Sequence, residues 1–252
     1  MWRSILVAMF LSVAHVNCYA QPVDPARPPV GGVATPQGAM IFYVARGQAG
    51  ACGPNCSEWI AAEGTIQWDS HKRLIAVLDR LGDRKLPVLF DVRGDGNMNV
   101  AVSMGRIIRE RGLDTAAGAT RVARCAGASD ADCFALKRGG GPLDASIDTW
   151  IVQCDVACVL ALAGGVHRTL PRGAKVVVGG RGIRNRLGLN VSEERREGLQ
   201  AKFGEQFRLY LTQMGVDPEF IDIVDRNTER HASSELQPQD WLRLRIVTWP
   251  VQ

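Results

Sequence analysis

The chain has 252 residues, and 30 lysines and arginines face 26 aspartates and glutamates, for a formal charge of +4 that is spread along its length. A charge that small and scattered gives no basis for nucleic-acid binding. No segment beyond the first twenty residues is apolar enough to span a bilayer. Residues 1–20 carry Arg3, then an apolar run broken by His15 and Asn17, then Cys18, Tyr19 and Ala20. This pattern reads as a secretory signal peptide cut near Ala20 and predicts a periplasmic or secreted protein. Residues 21–38 hold Pro22, Pro25, Pro28, Pro29, Gly31, Gly32 and Pro36 and read as a Pro/Gly-rich tether. Residues 39–252 suit one domain.

The predicted elements follow in order. Residues 41–44 and 59–66 read as strands, with CGPNC (52–56) as a tight loop between them. Asp69 or Ser70 is placed to cap a helix that ends at Gly82. The run at 86–92 is apolar but for Asp91, as in a strand buried on both faces. Arg93, Gly94, Asp95 and Gly96 then form a turn into a helix over about 97–111. Residues 115–123 read as a strand and 125–142 as an irregular excursion. A helix is expected over 156–163, a buried strand over 174–178, a long amphipathic helix over 193–214 and a further helix from Asp217, Pro218 and Glu219. Alternating β and α units predict an α/β fold with a largely parallel sheet.

Six cysteines follow the leader: Cys52, Cys56, Cys125, Cys133, Cys154 and Cys158. They fall into three near-neighbour pairs. An even count in an exported chain favours disulfides over zinc, which would need reduced thiols from two clusters. Residues four apart on a helix share a face, with Cα atoms ~6 Å apart, which a disulfide accepts. No metal or cofactor is predicted.

The stretches CGPNCSEWIAAEGTI (52–66), LGDRKLPVLFDVRGDGN (81–97), GRIIRERGLDTAAG (105–118), QCDVACVLALAGG (153–165) and PRGAKVVVGG (171–180) resemble, in order and spacing, the exported relatives of the Clp-protease proteolytic subunit in the Clp-protease/crotonase superfamily. The resemblance implies repeated βαβ units with a helical C-terminal part, and acyl transfer by a serine. Oligomeric state stays open, since relatives form rings or trimers.

That family's oxyanion turn reads Ser-Pro-Gly-Gly, where this chain has Arg93, Gly94, Asp95 and Gly96. Its nucleophile lies between the paired cysteines, where this chain has Val156, followed by Ala157. Its histidine base follows the next buried strand, where this chain has Gly179. Valine has no nucleophilic atom and glycine takes no proton, and catalysis of this kind needs both groups within hydrogen-bond reach. Asp95 would oppose a developing oxyanion by roughly 4 kcal/mol at 4 Å and an effective dielectric near 20; a salt bridge from Arg93 would offset it. The expectation is a degenerate site that binds a peptide or protein partner. Two alternatives are a hydrolase with a displaced nucleophile and a structural subunit co-assembling with an active paralogue. Substitutes for the lost groups are few. His71 reads as solvated and His167 as a helix-end residue. His231 precedes Ser233 and Ser234 with no supporting motif. Cys154 or Cys158 would act only as free thiols, and Asp95 or Asp155 would serve as acids only with a ligand this sequence does not announce. The stretch holding Arg181, Arg184 and Arg186 reads as a solvated loop.

Overall fold

The computed structural model describes residues 35–150, 152–180 and 192–248. The leader, the tether up to residue 34 and the basic stretch at 181–186 lie outside the described residues.

Strand β1 (Ile41–Arg46) pairs antiparallel with β2 (Glu58–Gly64), and the loop between them is clipped by the Cys52–Cys56 disulfide. From β2 the chain passes through α1 (Ser70–Leu81) to β3 (Val88–Val92), parallel to β2, and through α2 (Met98–Glu110) to β4 (Thr115–Ala117), parallel to β3. Then come β5 (Ala119–Val122), α3 (Asp130–Arg138), β6 (Leu143–Asp148), β7 (Gln153–Cys154), α4 (Val156–Leu162), β8 (Arg168–Thr169) and β9 (Lys175–Gly179). The chain continues through α5 (Glu193–Met214), α6 (Glu219–Arg230), β10 (Ser233–Leu236) and α7 (Pro238–Arg243). The main sheet has the order β5-β6-β1-β2-β3-β4-β8 and is mixed but mostly parallel; a second sheet has the order β10-β9-β7. The fold is α/β.

Strand alternation divides the apolar side chains between two cores. Phe42, Ile60, Ala62 and Phe90 face α1, α2 and α4, where the larger core sits. Tyr43, Trp59, Ala61 and Leu89 face the other way, against Val122 and Leu143. Burial on both faces explains the apolar run Val88, Leu89 and Phe90 of β3.

Several expectations are corrected. Residues 115–123 form two strands rather than one. The chain breaks at Gly118, where an added Cβ would lie 3.1 Å from Leu89 Cδ1, so β5 leaves the neighbourhood of β4 to pair with β6. The excursion at 125–142 contains helix α3. Ser129 caps it by accepting from Asp132 N–H at 3.2 Å, acids fill its first turn, bases fill its last, and the Cys125–Cys133 disulfide pins it. The strand over 174–178 is real but belongs to the second sheet. Asp69 occupies the N-cap position of α1 without a capping bond: its Oδ2 accepts from Arg73, and its Oδ1 has no hydrogen-bond partner. His71 is half-buried and its Nδ1 has no hydrogen-bond partner, so it is not a solvated side chain.

The C-terminal helices are held to the sheet by two arginines. Arg168, 3% exposed, donates to the carbonyls of Gly165, Met214, Arg245 and Ile246. Arg109 donates to Ala163, Gly164, Gly165 and Met214. Burial, with the neighbouring Arg109 charge, pulls the Arg168 guanidinium down to about 10, which leaves it charged at neutral pH. Arg109 still serves Gly165 and Met214, so replacing Arg168 with Met strands the carbonyls of Arg245 and Ile246, and Arg168→Met should cost about 2 kcal/mol or more. Urea unfolding should show a lower midpoint with an unchanged slope.

Candidate functional site

The site assembles where the carboxyl ends of β2 and β3 meet the start of α4. Beyond β2, Thr65 and Ile66 track the turn that follows β3. Arg93 N–H donates to Gly64 O at 3.1 Å, Thr65 Oγ1 donates to Arg93 O at 2.6 Å and Asn97 N–H donates to Ile66 O at 2.8 Å. Gly94 turns the chain at φ 66°, a conformation that suits glycine. Asn97 then caps α2, accepting from Asn99 and Val100 N–H.

Gly96 presses against α4: a Cβ added there would lie 2.7 Å from Ala157 Cβ and 3.1 Å from Ile66 Cβ. The structure thus brings together Gly96, Ala157 and Val156, three positions singled out in the sequence. Val156 opens α4 and is buried, 8% exposed. Cys154 and Cys158 are joined by a disulfide and wholly buried, so neither offers a free thiol. Gly179 ends β9, whose Val176 pairs with Cys154, and a Cβ built at Gly179 meets nothing within 4 Å. Gly94 and Asp95 are exposed.

The central group is Asp155. It is the N-cap of α4, with extended backbone, and its Oδ1 accepts from Cys158 N–H at 2.8 Å. The N–H groups of Gly96 and Ala157 also act on its carboxylate and favour its charged form. One side chain therefore caps the helix start and faces the turn after β3. Burial raises its pKa; the three N–H groups act in the opposite direction, the Asp95 charge adds to the rise, and the net displacement is upward.

Arg93 does not reach Asp95. Its Nη2 lies 3.1 Å from Glu63 Oε1 and 3.3 Å from Asp91 Oδ2. Asp91 and Arg93 point to the same face of the strand, and the turn at Gly94 carries Asp95 elsewhere. Glu63 also accepts from Lys137 Nζ at 2.6 Å and from Tyr43 Oη at 3.1 Å, which makes a buried polar cluster on the smaller-core face. The composition of this cluster was not legible in the sequence, since Lys137 is 74 residues from Glu63.

The other candidates lie apart. His167 is exposed and its Nδ1 is 2.9 Å from Asp114 Oδ1. His231 ends α6 in the left-handed region at φ 51°. Ser234 Oγ accepts from Asn227 Nδ2 at 2.9 Å, and among the described residues no hydrogen bond joins His231 to Ser233 or Ser234. Also among the described residues, no group of His, Cys, Asp and Glu is placed to hold a metal, and no helix is long and apolar enough to cross a membrane.

No protein-family model matches the chain, and no curated protein matches it. Among solved structures, it is similar in shape to a mutant of the 1510-N membrane-bound stomatin-specific protease in complex with a substrate peptide, at 10% identity and a TM-score of 0.39, over 75% of this chain and 71% of that one.

The sign of the Asp155 shift yields a test. An acid whose folded pKa is raised binds more protons folded than unfolded, so stability falls as pH rises from the ordinary carboxyl value through the raised one. Asp155→Asn keeps an acceptor for the N–H groups and removes the charge. The stability of the parent relative to this variant should decline across that window in urea unfolding at stepped pH. Asp155→Ala, which removes the cap, should cost about 1–2 kcal/mol.

Proposed function

We propose that this is an exported protein of the Clp-protease/crotonase type whose catalytic positions are vestigial, and that it binds a peptide or a segment of a partner protein in the groove beside them. The observation that carries this reading is Asp155. Acyl transfer needs N–H donors free to receive the oxyanion. In this chain the N–H groups of Gly96 and Ala157 face the Asp155 carboxylate, which the helix needs as its cap through Cys158 N–H. Withdrawing one such donor typically costs about 3–4 kcal/mol of transition-state stabilisation. The methyl groups of Val156 fill the nucleophile position, and Gly179 leaves open space at the base position.

Three disulfides fit an oxidising compartment, which supports export. They also remove all six cysteines of the described residues as nucleophiles. In the second sheet β7 has one neighbour, β9, so its other edge is available to pair with an extended chain. The proposed activity needs no metal or cofactor.

Labelling with a fluorophosphonate, read by intact mass, tests the loss of catalysis. The oxidised protein should show no mass shift under conditions that label an active serine hydrolase. Val156→Ser should also stay inert, because the new hydroxyl gains neither a base nor free oxyanion donors. A stoichiometric shift that a single substitution abolishes would overturn this reading.

A further inference from the structure

The outer face of α1 is unusual for a surface helix. Trp68, just before it, is 70% exposed and Ile75 is 36% exposed. Lys72 lies between them, its Nζ 5.5 Å from the centroid of the Trp68 ring, and Asp79 continues the row. Positions 68, 72, 75 and 79 follow the helical i, i+4, i+7, i+11 spacing, so they form one stripe. Two large apolar side chains thus stand about 10 Å apart along an exposed stripe.

The start of the described chain lies close by. Thr65 N–H donates to Gly38 O at 2.9 Å and Met40 N–H donates to Thr65 O at 2.8 Å, three residues before Trp68. Arg73, on α1 itself, donates from Nη1 to Met40 O at 3.1 Å. A turn closed by Ala39 N–H and Pro36 O at 3.1 Å folds the chain back, and Thr35 is buried, 6% exposed. Thr35, the first described residue, thus lies five residues from the Met40 carbonyl that Arg73 of α1 holds.

What precedes it has a matching pattern. In PVDPARPP (22–29), Pro22, Pro25 and Pro28 recur every third residue. A polyproline II helix has three residues per turn, so these prolines share one edge, Val23, Ala26 and Pro29 share a second, and Asp24 and Arg27 occupy the third. Two edges are apolar and one is charged. Successive prolines on one edge are about 9 Å apart, close to the Trp68-to-Ile75 interval. The seven residues from Pro28 to Thr35 span up to about 23 Å, more than the length of α1 at ~18 Å.

We propose that the Trp68–Lys72–Ile75 stripe is a seat for a proline-rich segment in polyproline II conformation, and that its occupant is residues 22–29 of the same chain. The apolar edges lie on Trp68 and Ile75, and Asp24 and Arg27 stay in water. Aromatic side chains are the usual floor of such seats, because the extended segment loses little entropy on docking. This surface is separate from the Val156 site, and its occupation does not depend on whether that site is inert.

The test places p-benzoylphenylalanine at Ala26 in the full chain. After irradiation of dilute protein, peptide mapping should find an intrachain cross-link within residues 68–79, and Trp68→Ser should reduce its yield to background. In 5-fluorotryptophan-labelled protein, Pro22, Pro25 and Pro28→Ser together should move the Trp68 fluorine resonance and leave those of buried Trp59 and Trp241 in place. The fluorine measurement also shows that the variant is folded. An absent cross-link with an unmoved Trp68 resonance overturns the proposal. So does a cross-link that maps elsewhere or joins two chains. Fluorophosphonate labelling reports on the Val156 site alone, so failure of one reading is distinguishable from failure of the other.

Discussion

Much of the architecture follows from one constraint: α4 is seven residues long and apolar on every side. All of Val156–Leu162 is buried. A helix this short leaves most of its N–H and C=O groups without intrahelical partners, and in the core water cannot supply them. Each group must then find a protein partner. At the N-terminus, Asp155 Oδ1 accepts from Cys158 N–H at 2.8 Å. Near the C-terminus, Tyr210 Oη donates to Leu160 O and Thr115 Oγ1 donates to Leu162 O, both at 2.7 Å. Arg109 covers Ala163, Gly164 and Gly165. These partners come from α2, β4 and α5. Satisfying one buried helix therefore fixes the relative positions of the main sheet and the C-terminal helices. Close approach is part of the same solution: a Cβ at Gly164 would lie 2.1 Å from Gly105 O, so α2 and α4 touch through glycine.

The same constraint bears on the proposed loss of catalysis. A hydroxyl at position 156 would need a partner in a buried place, whereas an isopropyl group contributes by burial, at about 1.5–3 kcal/mol for a side chain of that size. The helix start requires a cap, and Asp155 provides it. Because Gly96 lies against Ala157, the turn's N–H faces the same carboxylate. On the proposed reading, stability and oxyanion binding would compete for the same donors.

How much was legible in the sequence depended on range. Local signals worked well: α5 runs over Glu193–Met214, the bounds expected from the sequence, and the three near-neighbour cysteine pairs are the three disulfides. Helix α3 carried a signal too, Ser129 followed at N3 by Asp132, but the flanking glycines and cysteines masked it. The break at Gly118 depends on Leu89 and Ile147, and the choice of sheet for β9 depends on β7 and β10, so neither could be read from its own segment. Arg168 is the clearest illegible case. Its acceptors at Met214, Arg245 and Ile246 are 46 to 78 residues away, and a lone arginine after a glycine pair reads as surface. Arg93 was misread for a related reason, because adjacency to Asp95 counted for more than the face on which Glu63 and Asp91 lie.

Arg93 also bears on what the groove accepts. Glu63, Asp91, Lys137 and Tyr43 form a cluster on the far face of the sheet, and Arg93 is drawn into it. Burial, and after it the Glu63 carboxylate, push the Tyr43 phenol up, so the cluster keeps its neutral tyrosine donor at ordinary pH. With its guanidinium held there, Arg93 does not neutralise Asp95, which is left exposed near the half-buried Asp155. An acyl group passing through an oxyanion would meet two carboxylates at the point where it needs positive potential. A backbone segment that keeps its amides neutral meets no such penalty, and it gains where its N–H groups point towards Asp95. The electrostatics of the turn thus disfavour the chemistry associated with this arrangement and remain compatible with binding a peptide.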